Sequence, residues 1–125
     1  MAEAKHNLGA DSITIALTNT APVAGNTILA NITQISYTNL PTSRVITISA
    51  SSQTAGTYTA VATDKVLTAT GGAVATFRYV VLYNDTPAAP VDPLICWYDY
   101  GVGGVTLADA ETFTVDFGAS LFSLV

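Results

Sequence analysis

The sequence predicts an all-β protein, built as a single antiparallel β-sandwich or jelly-roll-like domain of about eight strands. Three observations predict this class. Short segments alternate apolar and polar residues, as strands do when one face is buried. Clusters of Gly, Pro, Asn and Ser separate these segments at short, regular intervals. No window shows the sustained 3, 4, 7 spacing of apolar residues that is typical of an amphipathic helix.

The alternation is clearest near the two ends of the chain. In residues 12–18 the odd-numbered apolar positions are Ile, Ile and Leu, and in residues 111–117 the last three odd-numbered positions are Phe, Val and Phe. In residues 28–37 the apolar positions change parity, which predicts a bulge near Thr33 and Gln34. The predicted strands cover residues 12–18, 28–37, 44–50, 57–63, 65–69, 73–83, 94–100 and 111–117. Residues 105–107 could add a brief pairing, and residues 121–125 could add an edge.

Residues 75–101 contain most of the aromatic side chains and predict one long β-hairpin. Its first strand runs over residues 73–83, with Phe77, Tyr79, Val81 and Tyr83 on one face. Turn-forming residues and three prolines in residues 84–93 end that strand. The return strand covers residues 94–100 and places Asp99 where it can pair with Arg78 across the hairpin.

Length and composition indicate one domain with an extension. The chain has 125 residues, and its polar residues 1–11 are predicted to form a mobile N-terminal arm ahead of a β-sandwich domain at 12–125. A single cysteine allows no intrachain disulfide. The first residues show neither a signal peptide nor a membrane span, so we expect folding in a cytoplasm and no membrane partner.

Charge is unusually sparse. Only 10% of the residues are Asp, Glu, Lys or Arg, and the net charge is −5, whereas about 25% is typical of soluble proteins. Such a surface suits a protein that lives inside an assembly, although a sheet faced with Thr also stays soluble without charges. The four cations are scattered, which argues against binding to nucleic acid.

Candidate catalytic residues are few. His6 is the single histidine and lies in the predicted arm, and Cys96 lies on a predicted buried strand with no cation beside it to lower its pKa. We therefore predict no enzymatic activity, no catalytic residues and no cofactor. Asp85, Asp92 and Asp99 suggest a calcium site, since the first two flank the hairpin loop, but their spacing matches no calcium-loop motif. Turn capping and solvation explain Asp85 and Asp92 better, and Asp99 can pair with Arg78. No metal site is predicted.

Aromatic residues on the return strand are candidates for an interface. Trp97 points to the opposite face from Tyr98 and Tyr100, so at least one face belongs to the core and the other is an interface candidate. The hairpin loop and the arm are the other candidate regions. The complete set of predicted interaction residues is His6, Asn84, Asp85, Pro87, Pro90, Trp97, Tyr98 and Tyr100.

Several segments of the chain resemble small structural proteins of tailed bacteriophages. They are FRYVVLYNDT at residues 77–86, PLI at 93–95, DYG at 99–101 and ETFTVDF at 111–117, preceded by ITIAL at 13–17. The resemblance implies a β-sandwich on the capsid shell or in the tail. This chain differs in the bulky pair Cys96 and Trp97, where a smaller pair is expected after Pro-Leu-Ile.

The resemblance, the small domain and the polar arm together predict a capsid decoration (cement) protein. Such a protein binds the outer capsid lattice in many copies, and its partners are the major capsid protein and neighbouring copies of itself, as a dimer or trimer. Its expected location is the capsid surface of the virion, after synthesis in the host cytoplasm. A tail-associated structural or receptor-binding module is the first alternative, and a carbohydrate-binding β-sandwich domain is the second.

Overall fold

The structure is a computed structural model that describes residues 9–87, 91–117 and 122–124, and it is all β, as predicted. One 3-10 turn at Leu29–Asn31 is the only helical segment in those ranges, and none of them contains a helix that is long and apolar enough to cross a membrane. The strands are β1 Ile13–Thr18, β2 Thr47–Thr54, β3 Thr57–Thr63, β4 Lys65–Thr68, β5 Tyr79–Asn84, β6 Leu94–Asp99, β7 Thr112–Val115 and β8 Phe122–Leu124.

The strands form three antiparallel sheets. The first has the order β1-β5-β6, the second β2-β3-β8, and the third pairs β4 with β7. The predicted hairpin is confirmed, because β5 and β6 pair antiparallel from Tyr79 opposite Asp99 to Tyr83 opposite Leu94. A register shift between Leu82 and Tyr83 leaves one extra residue of β6, Ile95, between the partners Leu94 and Cys96.

The main core lies between the first sheet and the other two. Alternate residues of β1 and β5 supply one side, and residues of β3, β4 and β7 supply the other. Burial of these side chains provides most of the stabilisation that a fold without disulfides can have. The fully buried members of this core are Ile13, Ile15, Leu17, Ala60, Leu67, Ala69, Phe77, Val80, Leu82 and Val115. The alternation predicted for β7 and the inward apolar face predicted for β1 are therefore confirmed, whereas the other face of β1, predicted to point outward, is buried as well.

The opposite face of the first sheet is also covered. Its own buried cluster consists of Ala16, Val81, Tyr83 and Leu94, and three partly buried residues pack on it. These are Leu29 and Ile32, from the segment around the 3-10 turn, and Trp97. Burial on both faces explains why all six residues of β1 and all six of β5 are buried.

The prediction of a strand over residues 28–37 is wrong. Leu29–Asn31 forms a 3-10 turn, and the Asn31 side-chain oxygen accepts hydrogen bonds from the backbone N–H groups of Thr27 and Ile28. Of the apolar side chains in this segment, Leu29 and Ile32 cover the outer face of the first sheet, whereas Ile35 and Tyr37 pack against the main core. At the predicted bulge near Thr33 and Gln34, the structure has an isolated antiparallel bridge between Gln34 and Thr18.

Two other predicted strands have different limits. The first strand of the hairpin begins at Tyr79 rather than residue 73, because the preceding segment bridges to Val105 through Phe77. Phe77 consequently faces the main core, whereas Val81 faces the outer cluster, so the predicted common face is wrong. The strand predicted over residues 44–50 is shifted as well: β2 covers Thr47–Thr54, and the chain turns only at Ala55 and Gly56.

Candidate interaction surfaces

The hairpin loop and the start of the domain meet at one end of the first sheet. The buried Asn84 side chain donates a hydrogen bond from Nδ2 to Asp11 Oδ2 at 2.6 Å. The Asp85 N–H donates to the Ser12 carbonyl at 2.8 Å, and the Ser12 N–H donates to Thr86 Oγ1 at 2.7 Å. We call Asp11, Ser12 and residues 84–87 the loop end. These bonds fix the point from which the predicted arm leaves the domain.

Carboxylates give the loop end a negative character. Asp92 has a positive φ of 49° and lies beside Asp85. Burial, together with the hydrogen bond and the negative charge of the neighbouring Asp85 carboxyl group, raises the pKa of Asp92 above its ordinary value. Within residues 9–87, 91–117 and 122–124, no group of three His, Cys, Asp or Glu side chains is arranged to hold a metal ion.

The loop contains four of the predicted interaction residues. Asn84 is fully buried and holds the loop, so it supports the surface rather than presenting itself. Asp85 is exposed and Pro87 is partly buried. Pro90 and His6, which belong to the loop and to the predicted arm, lie outside the described residues.

The three aromatic residues of the return strand are not brought together. Tyr98 packs against the main core and stacks at a tilt on Phe117, with ring centroids 6.4 Å apart. Tyr100 makes an edge contact with Phe113 at 5.0 Å and keeps 38% of its surface exposed. Trp97 lies on the outer cluster. The predicted alternation is thus observed, and the three rings do not form a common flat platform.

An ion pair closes the wide end of the hairpin, as the sequence predicted. Arg78 Nε donates to Asp99 Oδ1 at 2.7 Å, and Nη2 donates to Oδ2 at 2.9 Å. The Gly101 N–H also donates to Asp99, at 2.8 Å. The Arg78 guanidinium and this backbone donor lower the pKa of Asp99 to about 2. Both side chains are partly exposed, so the pair orients the following Gly-rich turn more than it stabilises the fold.

The single cysteine has the environment of a packing residue. Cys96 is partly buried against the main core, beside Tyr98. Burial raises the pKa of the Cys96 thiol, which disfavours the reactive thiolate form. In this position a thiol packs as a small apolar side chain.

A further surface was not anticipated from the sequence. Strands β2 and β3 form a hairpin in which every residue from 49 to 56 is exposed, and we call these residues the hairpin tip. No charged residue occurs anywhere from Val45 to Thr63. Ala55 and Gly56 turn the chain with φ values of 51° and 84°. The sequence signal that could have indicated this hairpin is the glycine of a two-residue turn between two Thr-rich segments.

Comparisons of the chain with protein-family models, with curated proteins and with solved structures found no match. The loop end and the hairpin tip are therefore the observations from which a function is inferred.

Proposed function

We propose that the protein is a virion structural protein, namely a capsid decoration (cement) protein that binds the outer capsid lattice in many copies and stabilises it. The observation that carries the proposal is the exposed, uncharged hairpin tip. Exposed edge strands of soluble proteins are commonly guarded by charges, prolines, bulges or covering segments. An uncharged strand suits a molecule whose neighbours lie close around it. The resemblance of the sequence to phage structural proteins supports the same role.

The loop end supports a specific orientation on the shell. The predicted arm leaves the domain at Asp11, which the loop residue Asn84 holds by a hydrogen bond. The start of the domain at Asp11 and Ser12 and the loop residues Asp85 and Pro87 therefore belong to the same end of the molecule. We assign this end to the contact with the major capsid protein, and the sides of the domain to contacts with neighbouring copies.

The proposed mechanism is adhesive. A protein that binds only the assembled lattice raises the stability of that lattice by mass action, and the gain grows with the logarithm of its free concentration over Kd. Contacts to more than one capsid subunit, and to neighbouring copies, add to one another because the second contact forms at high effective concentration. Such a mechanism uses surface complementarity and requires no catalytic group.

Binding to empty shells tests the proposal. Purified protein is mixed with empty capsids, and bound protein is measured by co-sedimentation together with the melting temperature of the shells. The proposal predicts saturable binding in numbers comparable with the capsid subunits, and a higher melting temperature of the shell. Binding to host cells or isolated glycans, without binding to shells, would instead support the receptor-binding alternative.

Truncation tests the assignment of the loop end. Deletion of residues 1–10 leaves Asp11 and Ser12 in place, so the hydrogen bonds of the loop end and the domain fold are retained. The proposal predicts lower occupancy on shells with an unchanged melting temperature of the free protein. Unchanged occupancy would show that the arm does not contact the shell.

A tail component remains the second candidate, because the same sandwich and the same sparse charge serve in a tail as well as on a shell. Fibre-base, tail-tip and receptor-binding components occur in few copies, so the number of copies per particle separates them from a decoration protein. The carbohydrate-binding alternative is weakened by the aromatic geometry. Glycan binding favours exposed aromatic platforms, whereas Trp97 and Tyr98 lie on opposite faces and both are partly buried.

A further inference from the structure

We propose that the outer edge of β2 is a self-association edge, at which a second copy of this chain adds its own β2 in antiparallel orientation about a twofold axis. The inference rests on the proposed function in one respect, namely that neighbouring copies stand side by side on a lattice. It names the surface through which they would meet.

The geometry of β2 provides the edge. β2 pairs with β3 on one side, and in the described part of the chain no strand pairs with its other side. A register shift between Ile48 and Ala50 marks a bulge at the base, and pairing is regular from Ala50 to Thr54. In an antiparallel ladder, every second residue turns its N–H and C=O away from its partner. The regular part of β2 therefore presents backbone donors and acceptors outward.

The side chains do not protect this edge. Exposed edges are usually guarded by Lys, Pro, inward-pointing charges, short strands, β-bulges or a covering loop, and the bulge of β2 lies only at its base. β2 is eight residues long, and it contains neither proline nor any charged residue. Ala50 and Ser52 lie opposite Val61 and Thr59, on the face away from the buried Ala60. Small neutral side chains of this kind allow a second backbone to approach closely.

The outer edge of β1 differs from that of β2, because other parts of the chain satisfy its backbone N–H and C=O groups. The Ile15 N–H donates to the Arg44 carbonyl at 2.9 Å, and Arg44 Nη1 donates to the Ile15 carbonyl at 2.6 Å. The Leu17 N–H donates to the Tyr37 hydroxyl at 3.0 Å. One of the four cations of the chain and a tyrosine are thus used to satisfy β1, and β2 has no comparable cover among the described residues.

Charge and size favour a second copy as the partner. The net charge of the chain is −5, so identical copies repel unless they meet through a neutral surface, and residues 45–63 are neutral. Antiparallel pairing of one strand with its own copy is also symmetric, as a twofold interface must be. Five regular residues span roughly 17 Å. A contact along one strand edge of this length buries less surface than the roughly 800 Å² per partner of a stable dimer. Association in solution is therefore weak and becomes effective on a lattice.

Charge-swapped variants test the edge. Ala50→Lys with Ser52→Lys makes one variant, and Ala50→Glu with Ser52→Glu makes the other. Sedimentation velocity of the wild-type protein over a wide concentration range is expected to show a weak dimer. Each variant alone is expected to dimerise at least about tenfold more weakly because like charges meet at the axis, and an equal mixture of the two is expected to recover dimerisation.

Controls separate the edge from the fold and from the shell. Thr112→Lys with Thr114→Lys places the same charges on exposed positions of β7 and is expected to leave the dimer unchanged. Circular dichroism and melting temperature identify a variant that fails to fold, and the single Ser52→Lys variant then replaces it. A wild-type protein that stays monomeric at its solubility limit, or variants that dimerise as the wild type does, would overturn the inference. Shell binding is measured in a separate experiment. A wild-type protein that dimerises but does not bind shells would contradict the proposed function and leave the inference about β2 intact.

Discussion

Replacing Tyr37 by phenylalanine removes a single oxygen atom from the outer edge of β1. That hydroxyl accepts a hydrogen bond from the Leu17 N–H at 3.0 Å and donates one to Gln34 Oε1 at 2.5 Å. The ring itself stays, so the contact with the Arg44 guanidinium, 3.8 Å from the ring centroid, is retained. The substitution therefore isolates the effect of the hydroxyl group.

The expected cost follows from burial. Leu17 is fully buried, and without the Tyr37 hydroxyl its N–H loses the partner it has in the structure. An unsatisfied buried donor costs about 1–3 kcal/mol. We expect Tyr37→Phe to lower the free energy of unfolding by that amount and the melting temperature by several degrees, measured by urea denaturation and by thermal melting followed by circular dichroism.

Tyr58→Phe is the matched control. The Tyr58 hydroxyl bonds the exposed Ser51 hydroxyl at 2.6 Å, where water replaces the lost partner. We expect a change of less than about 0.5 kcal/mol. Equal losses in the two variants, or a loss below about 0.5 kcal/mol for Tyr37→Phe, would refute the conclusion that Tyr37 satisfies the β1 edge.

Three further predictions concern turns and carboxylates. Gly103→Ala should lower the free energy of unfolding by about 1–2 kcal/mol, measured by urea denaturation, because the φ of Gly103 is 91°. Gly104→Ala should lower it more, since the added Cβ would lie 2.7 Å from the Phe77 carbonyl oxygen. Asp92→Asn should stabilise the fold at pH 7 by less than about 1 kcal/mol. The reason is that the raised pKa of the Asp92 carboxyl group means that the folded state disfavours its ionised form. This gain should vanish below the ordinary carboxyl pKa, where the group is protonated in both states. Asp99, whose pKa is lowered to about 2, contributes stability above its ordinary pKa of 3.8 that is lost as the pH falls toward 2. Asp99→Asn should remove this part of the pH dependence of the urea midpoint, and an unchanged profile would contradict the assignment.

The sequence predicted those elements that local alternation controls. β1 and β7 each have one strictly apolar face toward the main core, and the Gly- and Pro-rich segments between strands mark turns. The pairing of Arg78 with Asp99 could also be predicted, because the hairpin register follows from the alternation of its two strands.

Elements that depend on distant contacts were not predicted. Leu29 and Ile32 have the apolar character of a strand, but their partners are residues of the outer cluster that come from β1, β5 and β6. The hydrogen bond from Asn84 to Asp11 joins residues 73 positions apart. The end of β2 was missed because its Ser-rich sequence has low β-propensity, and pairing with β3 determines its extent.

The number of copies bound to a shell tests the central claim most directly. Purified protein at saturating concentration is added to empty capsids, and bound copies are counted by quantitative electrophoresis and located by electron microscopy. A decoration protein predicts regular density over the capsid lattice, in numbers comparable with the capsid subunits. Density confined to the tail, a few copies per particle, or no binding to shells would contradict the account.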